Sequence, residues 1–387
     1  MNGNHRSIAH IDLDTFFVSC ERLQDSRLNN VPLLIGGHSA RAVVASCSYE
    51  ARRYGVRSGM PMRYARRLCP SAKILKGDYE YYSKCSKLVT EVLTQEAPVL
   101  EKASIDEFYL DITGLDKYFG CLKWTQQLTQ KVVEESGLPV SFGLSINKTV
   151  AKMATSEGKP LGSLCVPADN VQTFLNPLSV QKIPMLGQAS FRVLSRLGIR
   201  TIETLAQMPK EMMAQLLGKN GISLWKKANG YDPSPIVPHM QRQSISNEKT
   251  FHRDTTNVDQ LISEIVHLVE GLAFQLRAER RLCSVVTVKI RYANFDTHTR
   301  QKKIPFCAND ATLLATAKHL LHQIYERRML IRLVGVKLSG LVEGHPQIDL
   351  FSDTHKQIAL CQAMDKIRKR FGKKAIQRAQ AFLPDVS

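Results

Sequence analysis

IDLDTFFVSC, residues 11–20, sets Asp12 and Asp14 inside an apolar run that otherwise reads as a buried strand passing into a helix near Val18. An unpaired carboxylate in such surroundings is costly or takes up a proton, so the chain should hold something that neutralises these acids. A second acidic group stands in VLEKASIDEFYLDIT, residues 99–113, with Asp106 and Glu107 at the junction of two apolar strands, 99–105 and 107–112, and Asp111 further on. Neighbours on an extended strand face opposite sides, so Asp106 and Glu107 serve one centre only if the backbone turns between those strands. A hairpin tip beside the strand bearing Asp12 would let the three converge. Hard divalent cations such as magnesium favour an all-oxygen set of this kind. Two of them about 4 Å apart activate an attacking oxygen and stabilise a leaving one in phosphoryl transfer. The plainer reading of any one acid is a strand end in water or a partner for a nearby arginine.

Charge points the same way. Fifty-three basic and 35 acidic side chains leave +18 over 387 residues, an excess that favours a polyanionic partner, nucleic acid or an anionic membrane. No apolar stretch approaches the ~20 residues of a membrane-spanning helix, and Asp12 and Asp14 interrupt any secretory core at the start. Nine cysteines are scattered without CxxC pairs, which suits a reducing cytoplasm and argues against structural zinc.

The order of elements mixes hairpins with helical crossovers: strands at 31–37 and 41–48, short arginine-rich helices over 49–70, a helix over 79–97, the acidic hairpin, a helix over 117–136, the strand LPVSFGLS and a helix over 147–155. This predicts an α+β sheet domain rather than a repeated βα unit. The chain turns helical from Val171. NGYDPSPIVPH, 229–239, is the best linker candidate. Beyond it, strands at 243–252, 283–292, 298–306 and 330–341 alternate with helices at 257–280 and 309–328 as a second α+β domain. The end, 353–387, is basic and helical.

Four motifs carry more. IDLDTFFVSCE (11–21), VVASCSYEARRYGVRSGMP (43–61), ASIDEFYLDITG (103–114) and FGLSINKTVAKMATSEGKP (142–160), in that order, closely resemble the Y-family translesion DNA polymerases, the DinB or polymerase IV branch most nearly. The resemblance implies an α+β right-hand fold: palm 1–17 and 78–166, fingers 18–77, helical thumb 167–235, linker 236–242, a separate little finger 243–342, and 343–387 as clamp-binding peptide and basic tail. It further implies that Asp12, Asp106, Glu107 and the Leu13 carbonyl hold two Mg2+ ions, with Asp14 not a direct ligand. Phe17 matches the steric gate that excludes a ribose 2′-hydroxyl, while Phe16 serves the core. Ser46, Tyr49, Arg52 and Lys159 match positions that bind the incoming deoxynucleoside triphosphate; Asn147 and Lys148 complete an SxNK-like element, Lys148 near phosphate or structural acids.

In the thumb, IPMLG (183–187) resembles a helix-hairpin-helix turn whose backbone amides meet DNA phosphate, but Met185 stands where a glycine is usual and only Gly187 remains. Lys249 and Arg253 of SISNEKTFHRD, with the later VTVKIRY, are expected along the phosphates of the primer–template. QIDLF, 347–351, resembles the peptide that docks on the sliding clamp (beta subunit), through Gln347, Leu350 and Phe351. The whole reads as a bacterial, cytoplasmic, monomeric DNA-directed DNA polymerase for lesion bypass. Its rivals are an accessory-dependent polymerase of the UmuC type and a DNA-binding protein that kept the fold without the chemistry.

Overall fold

Residues 6–115, 120–238, 241–325, 329–344, 354–372 and 375–381 are described in the computed structural model. The chain divides into two units, Met1–Met240 and Gln241–Ser387, so the break falls inside the stretch 236–242. The peptide with Gln347, Leu350 and Phe351 lies outside the described residues.

Unit 1 opens with β1 (Ile8–Leu13) and α1 (Phe16–Gln24), then β2 (Leu33–Gly36), β3 (Val44–Cys47), α2 (Tyr49–Arg53), α3 (Met62–Leu68) and β4 (Lys73–Leu75). It continues with α4 (Tyr79–Glu96), β5 (Val99–Lys102), β6 (Glu107–Asp111), α5 (Cys121–Ser136), β7 (Val140–Ser145), α6 (Lys148–Gly158) and β8 (Ser163–Cys165). β1 is the middle strand of a five-stranded sheet ordered β5-β6-β1-β7-β8. All six of its residues are buried, and alternation decides what each face meets. Ala9, Ile11 and Leu13 join Val89, Leu93, Leu128 and Val132 of α4 and α5 in one core. Ile8, His10 and Asp12 turn to the other face, where Ile8 packs with Tyr109 and with Ala151 of α6.

α6 lies unusually close to that face because β7 presents Gly143 there: a Cβ would stand 2.2 Å from the Ala151 carbonyl oxygen and 2.4 Å from the Thr155 nitrogen. The glycine in FGLS is thus what lets a helix carrying Lys152 lie beneath the strand carrying Asp12. β2, β3 and β4 form a separate small sheet ordered β3-β2-β4. The short β4 and β8 add parallel pairs, β2–β4 and β7–β8, that the sequence pattern does not announce.

Helices α7 (Val171–Leu175), α8 (Gln188–Arg196), α9 (Ile202–Ala206) and α10 (Lys210–Ala228) complete unit 1. Their core, including Ile183, Leu194, Leu205 and Leu224, continues into Val150 and Met153 of α6.

Unit 2 contains β9 (Ser244–Thr255), α11 (Val258–Ala278), β10 (Arg281–Tyr292), β11 (Thr297–Cys307), α12 (Asp310–Ile324), β12 (Ile331–Ser339), β13 (Val342–Glu343) and α13 (Thr354–Phe371). Its main sheet is ordered β11-β10-β12-β9, with α11 and α12 covering one face through Leu261, Ile265, Leu272, Leu313 and Leu320 against Val286, Val288, Ile290 and Val334.

The basic end of the chain is not simply a solvated helix. Cys361, Met364 and Arg368 of α13 are buried. Arg368 pairs with the buried Glu270 of α11 at 3.2 Å, and Arg378 reaches the same carboxylate at 3.4 Å. Arg277 of α11 bridges Asp310 (2.6 Å) and Asp365 (2.7 Å). Burial pushes the Glu270 carboxyl up in spite of both guanidinium groups. Removing one partner of a buried pair strands the other charge, at about 3–5 kcal/mol. Arg368→Met should therefore lower unit 2 stability by about 3 kcal/mol, the lower end because Arg378 remains, seen as an earlier urea midpoint; an unchanged midpoint would show the pair to be inert.

Candidate active site

The acidic hairpin does turn. Ser104 fills the tip of β5–β6: its hydroxyl accepts from the Glu107 amide (3.0 Å) and donates to Asp106 Oδ1 (2.5 Å), while the Ala103 and Ser104 amides both donate to the Glu107 carbonyl. The Leu13 amide donates to the Asp106 carbonyl at 3.0 Å, and strand register sets Asp12 directly across from Glu107. Asp12, Asp106 and Glu107 thus meet at the end of two central strands.

Two lysines meet them. Lys159, just past α6, pairs with Asp12 and stands 3.8 Å from Asp14; Lys152, on α6, pairs with Glu107. Burial raises the Asp12 carboxyl to about 7 even with Lys159 against it, because Glu107 and Asp106 add repulsion. Burial works on Glu107 too, but His10 and Lys152 overcome it and hold the carboxyl at about 2. Lys152 is a residue that sequence reading passed over; its signal was its place four residues after Lys148 on a helix that begins at the SxNK element.

His10 is fully enclosed, with Nδ1 2.8 Å from Thr155 Oγ1 and Nε2 without a hydrogen bond, 4.0 Å from Glu107 Oε2. Its burial lowers its pKa. Asp14 is a satisfied structural acid: it accepts from Ser141 Oγ (2.7 Å), the Leu161 amide (2.7 Å) and Tyr49 Oη (3.3 Å), using the capacity a ligand would need.

The acids open into a cleft with about 150 Å³ of room, lined by Asp12, Leu13, Phe17, Ala45, Ser46, Arg52, Ser58, Asp106 and Lys159. Ser46 sits on β3, and α2, capped by Ser48, carries Tyr49 and Arg52 on one side, with the guanidinium 4.9 Å from the tyrosine ring centre. Phe17, in the first turn of α1, is stacked nearly parallel on Tyr82 of α4, centroids 4.5 Å apart at 16°. Tyr82 donates to Glu21 at 2.5 Å, so the ring that faces the cleft is braced from behind. Phe16 is buried in the main core and also touches the cleft. Ser58 and Tyr82 are further residues that no motif singled out.

The donor set, two or three carboxylates and a backbone carbonyl, fits a hard cation, and the three carboxylates Asp12, Asp106 and Glu107 are met by two lysines. Among the described residues no three such side chains are gathered closely enough to hold an ion as they stand; Lys159, Lys152 and Ser104 each keep one carboxylate occupied.

The other expected sites lie elsewhere. Lys148 is not near the cleft: it pairs with the buried Glu101 at 2.6 Å. Gly187 precedes α8 with open space around it. In unit 2, Glu248, Gly335 and Lys289 lie in a row across three strands of the uncovered sheet face, and Lys289 reaches over the glycine to pair with Glu248 at 2.8 Å. Strand partners place Lys337 with Thr287, and Lys303 with Val285, on that same face. Lys249 instead opposes the core residue Val334 and so belongs to the other side of the edge strand, exposed like Arg253. The structure therefore does not bring Lys249 together with Lys289; Lys303 and Lys337, legible from the period of two, take its place.

The sequence pattern of the impB/mucB/samB family matches residues 11–156 and that of its C-terminal domain residues 242–350. The chain belongs to the Y-family DNA polymerases, in the DinB branch. It is 34% identical to a DNA polymerase IV of Dehalococcoides mccartyi over 97% of this chain and 98% of that one. To a DNA polymerase IV of Methanoculleus marisnigri it is 36% identical over 89% and 97%. Among solved structures it resembles a Y-family polymerase chimera of Dbh and Dpo4 (TM-score 0.79) and an insertion ternary complex of Dbh polymerase (0.64), each 25% identical and covering 87% of this chain and 100% of the other. The fold is accordingly the palm, fingers and thumb of this family with a little-finger domain, and the activity is that of a DNA polymerase.

One departure can be weighed in numbers. Met185, in the turn before α8, has φ of 75° and is 92% exposed. A left-handed conformation costs a side chain about 1–2 kcal/mol, whereas glycine costs roughly 0.4–1 kcal/mol through the unfolded chain. Met185→Gly buries nothing less, so it should stabilise unit 1 by roughly 0.5–1 kcal/mol, read as a rise in its thermal midpoint; a fall would mean the methionine makes a contact that matters.

Proposed function

We propose that the chain adds deoxynucleotides to a primer 3′ end on damaged templates, with Asp12, Asp106, Glu107 and the Leu13 carbonyl as the groups that would hold two magnesium ions. The observation that carries this is the meeting of Asp12 with Glu107 and the Asp106 hairpin at the mouth of a cleft that also contains Phe17, Ser46, Arg52 and Lys159. When bound, the ions would lower the pKa of the primer hydroxyl and neutralise the departing pyrophosphate. The protein's own part is charge and position. Lys159, released from Asp12, and Arg52 offer cationic donors to the triphosphate, with Ser46, and Tyr49 released from Asp14, as neutral ones. Phe17, held flat by Tyr82, leaves no room for a 2′-hydroxyl. Lys289, Lys303 and Lys337 of the little finger, together with the exposed Lys249 and Arg253, and the hairpin amides near Gly187 grip DNA through phosphate without reading sequence.

The test is primer extension by the purified chain with magnesium and no accessory protein. Asp106→Asn should abolish extension while leaving the fold intact, and extension at the parent rate would end the two-metal reading. Phe17→Ala should admit ribonucleotides. Tyr82→Leu should erode sugar discrimination by about two- to twelvefold, the value of an aromatic pair worth ~0.5–1.5 kcal/mol; discrimination unchanged in both variants would remove the gate from Phe17.

A second proposal concerns the replication clamp and rests on the sequence QIDLF alone. Leu350 and Phe351 would anchor in an apolar cleft with Gln347 at the head. Replacing both anchors by alanine should lower clamp-stimulated synthesis and spare synthesis without the clamp. Equal loss of the two would sink the docking role.

A further inference from the structure

The SxNK element has a place in the fold that phosphate chemistry does not explain. Asn147 caps α6 by accepting from the Val150 amide (3.0 Å), and its Nδ2 donates to the Gly230 carbonyl at 2.8 Å. Lys148 pairs with Glu101 at 2.6 Å, lies 4.8 Å from the centre of the Tyr109 ring and reaches the Pro235 carbonyl at 3.5 Å. The other oxygen of Glu101 accepts from the Val237 amide at 2.7 Å. Thr149 donates to Asp232 at 2.7 Å, and Arg6 to the Ser234 carbonyl at 3.1 Å. Ile236 is buried against Ile8, Tyr109 and Ala151. A proline-rich stretch that reads as linker is fastened to the palm face opposite α4 and α5 by hydrogen bonds at five residues and by the buried Ile236.

We propose that Asn147, Lys148 and Thr149, with Glu101, are positioning residues that clasp residues 230–237 to unit 1 and thereby set the length of chain leading to the little finger. With the clasp shut, only the six residues 238–243 separate Val237 from β9, about 20 Å of extended chain. Opening it adds the eight residues 230–237, about 27 Å more. The little finger's effective concentration at DNA already held by unit 1 falls as roughly the −3/2 power of tether length. Going from six to 14 free residues lowers it about three- to fourfold. The clasp itself touches no reacting group, so it acts on DNA grip; that consequence rests on the polymerase reading above.

The full-length protein carrying Lys148→Met, Thr149→Val or the conservative Lys148→Arg tests this by small-angle scattering and by primer extension. Lys148→Met and Thr149→Val should each enlarge the maximum dimension in solution. They should also raise KM for primer–template, together about three- to fourfold, with kcat at saturating DNA held. Lys148→Arg keeps the charge against Glu101 and should behave as the parent. Unaltered scattering and KM in both clasp variants would overturn the proposal, as would a fall in kcat that tracks loss of thermal stability. Failure of the parent to extend primers would instead remove the polymerase reading, while the scattering comparison would still decide the clasp.

Discussion

The cost of burying acids on adjacent central strands is the constraint round which unit 1 is organised. Asp12 and Glu107 are strand partners, mostly removed from water, with Asp106 beside them. Each needs positive charge, and backbone geometry delivers it from one helix: Gly143 lets α6 settle on the sheet, Lys152 rises from its middle and Lys159 from its end. The two answer differently. Glu107 has a lysine and an enclosed histidine and stays ionised, whereas Asp12, more deeply buried and repelled from two sides, is left near neutrality. Carboxylates outnumber lysines here, an oxygen-rich setting of the kind hard divalent ions favour.

Much of this is legible in the amino-acid sequence. Acids in an apolar strand, an acidic hairpin and four ordered motifs led to the family and to the residues at the cleft. What escaped was pairing across distance. Nothing local marks Lys152 as the partner of Glu107, Tyr82 as the brace for Phe17, or Ser104 as the holder of Asp106, because each depends on which elements pack together. Lys148 meets the same limit: a basic residue in that element suits phosphate or a structural acid alike, and only the fold selects the enclosed carboxylate of Glu101. The linker looked free because prolines speak for irregular backbone and say nothing about what that backbone is tied to.

Unit 2 shows the complementary lesson. Its strands and helices read as a second α+β domain, and the period of two sorts lysines onto the open face or the helical one more reliably than their closeness in sequence does. The end of the chain reads as a basic helical tail, yet Arg368 and Arg378 spend their charge inward on Glu270. Part of the chain's +18 therefore belongs to internal architecture rather than to the surface field.

The pair between Lys289 and Glu248 bears on how ionic strength acts on this surface. A free lysine that meets a phosphate releases a condensed counterion and steepens the dependence of binding on salt. Lys289 must first leave Glu248, and the abandoned carboxylate then attracts a cation of its own, so the exchange is close to balanced. Contact through this lysine would be nearly salt-neutral, leaving the exposed Lys303 and Lys337 to carry the sensitivity of the face to the surrounding electrolyte.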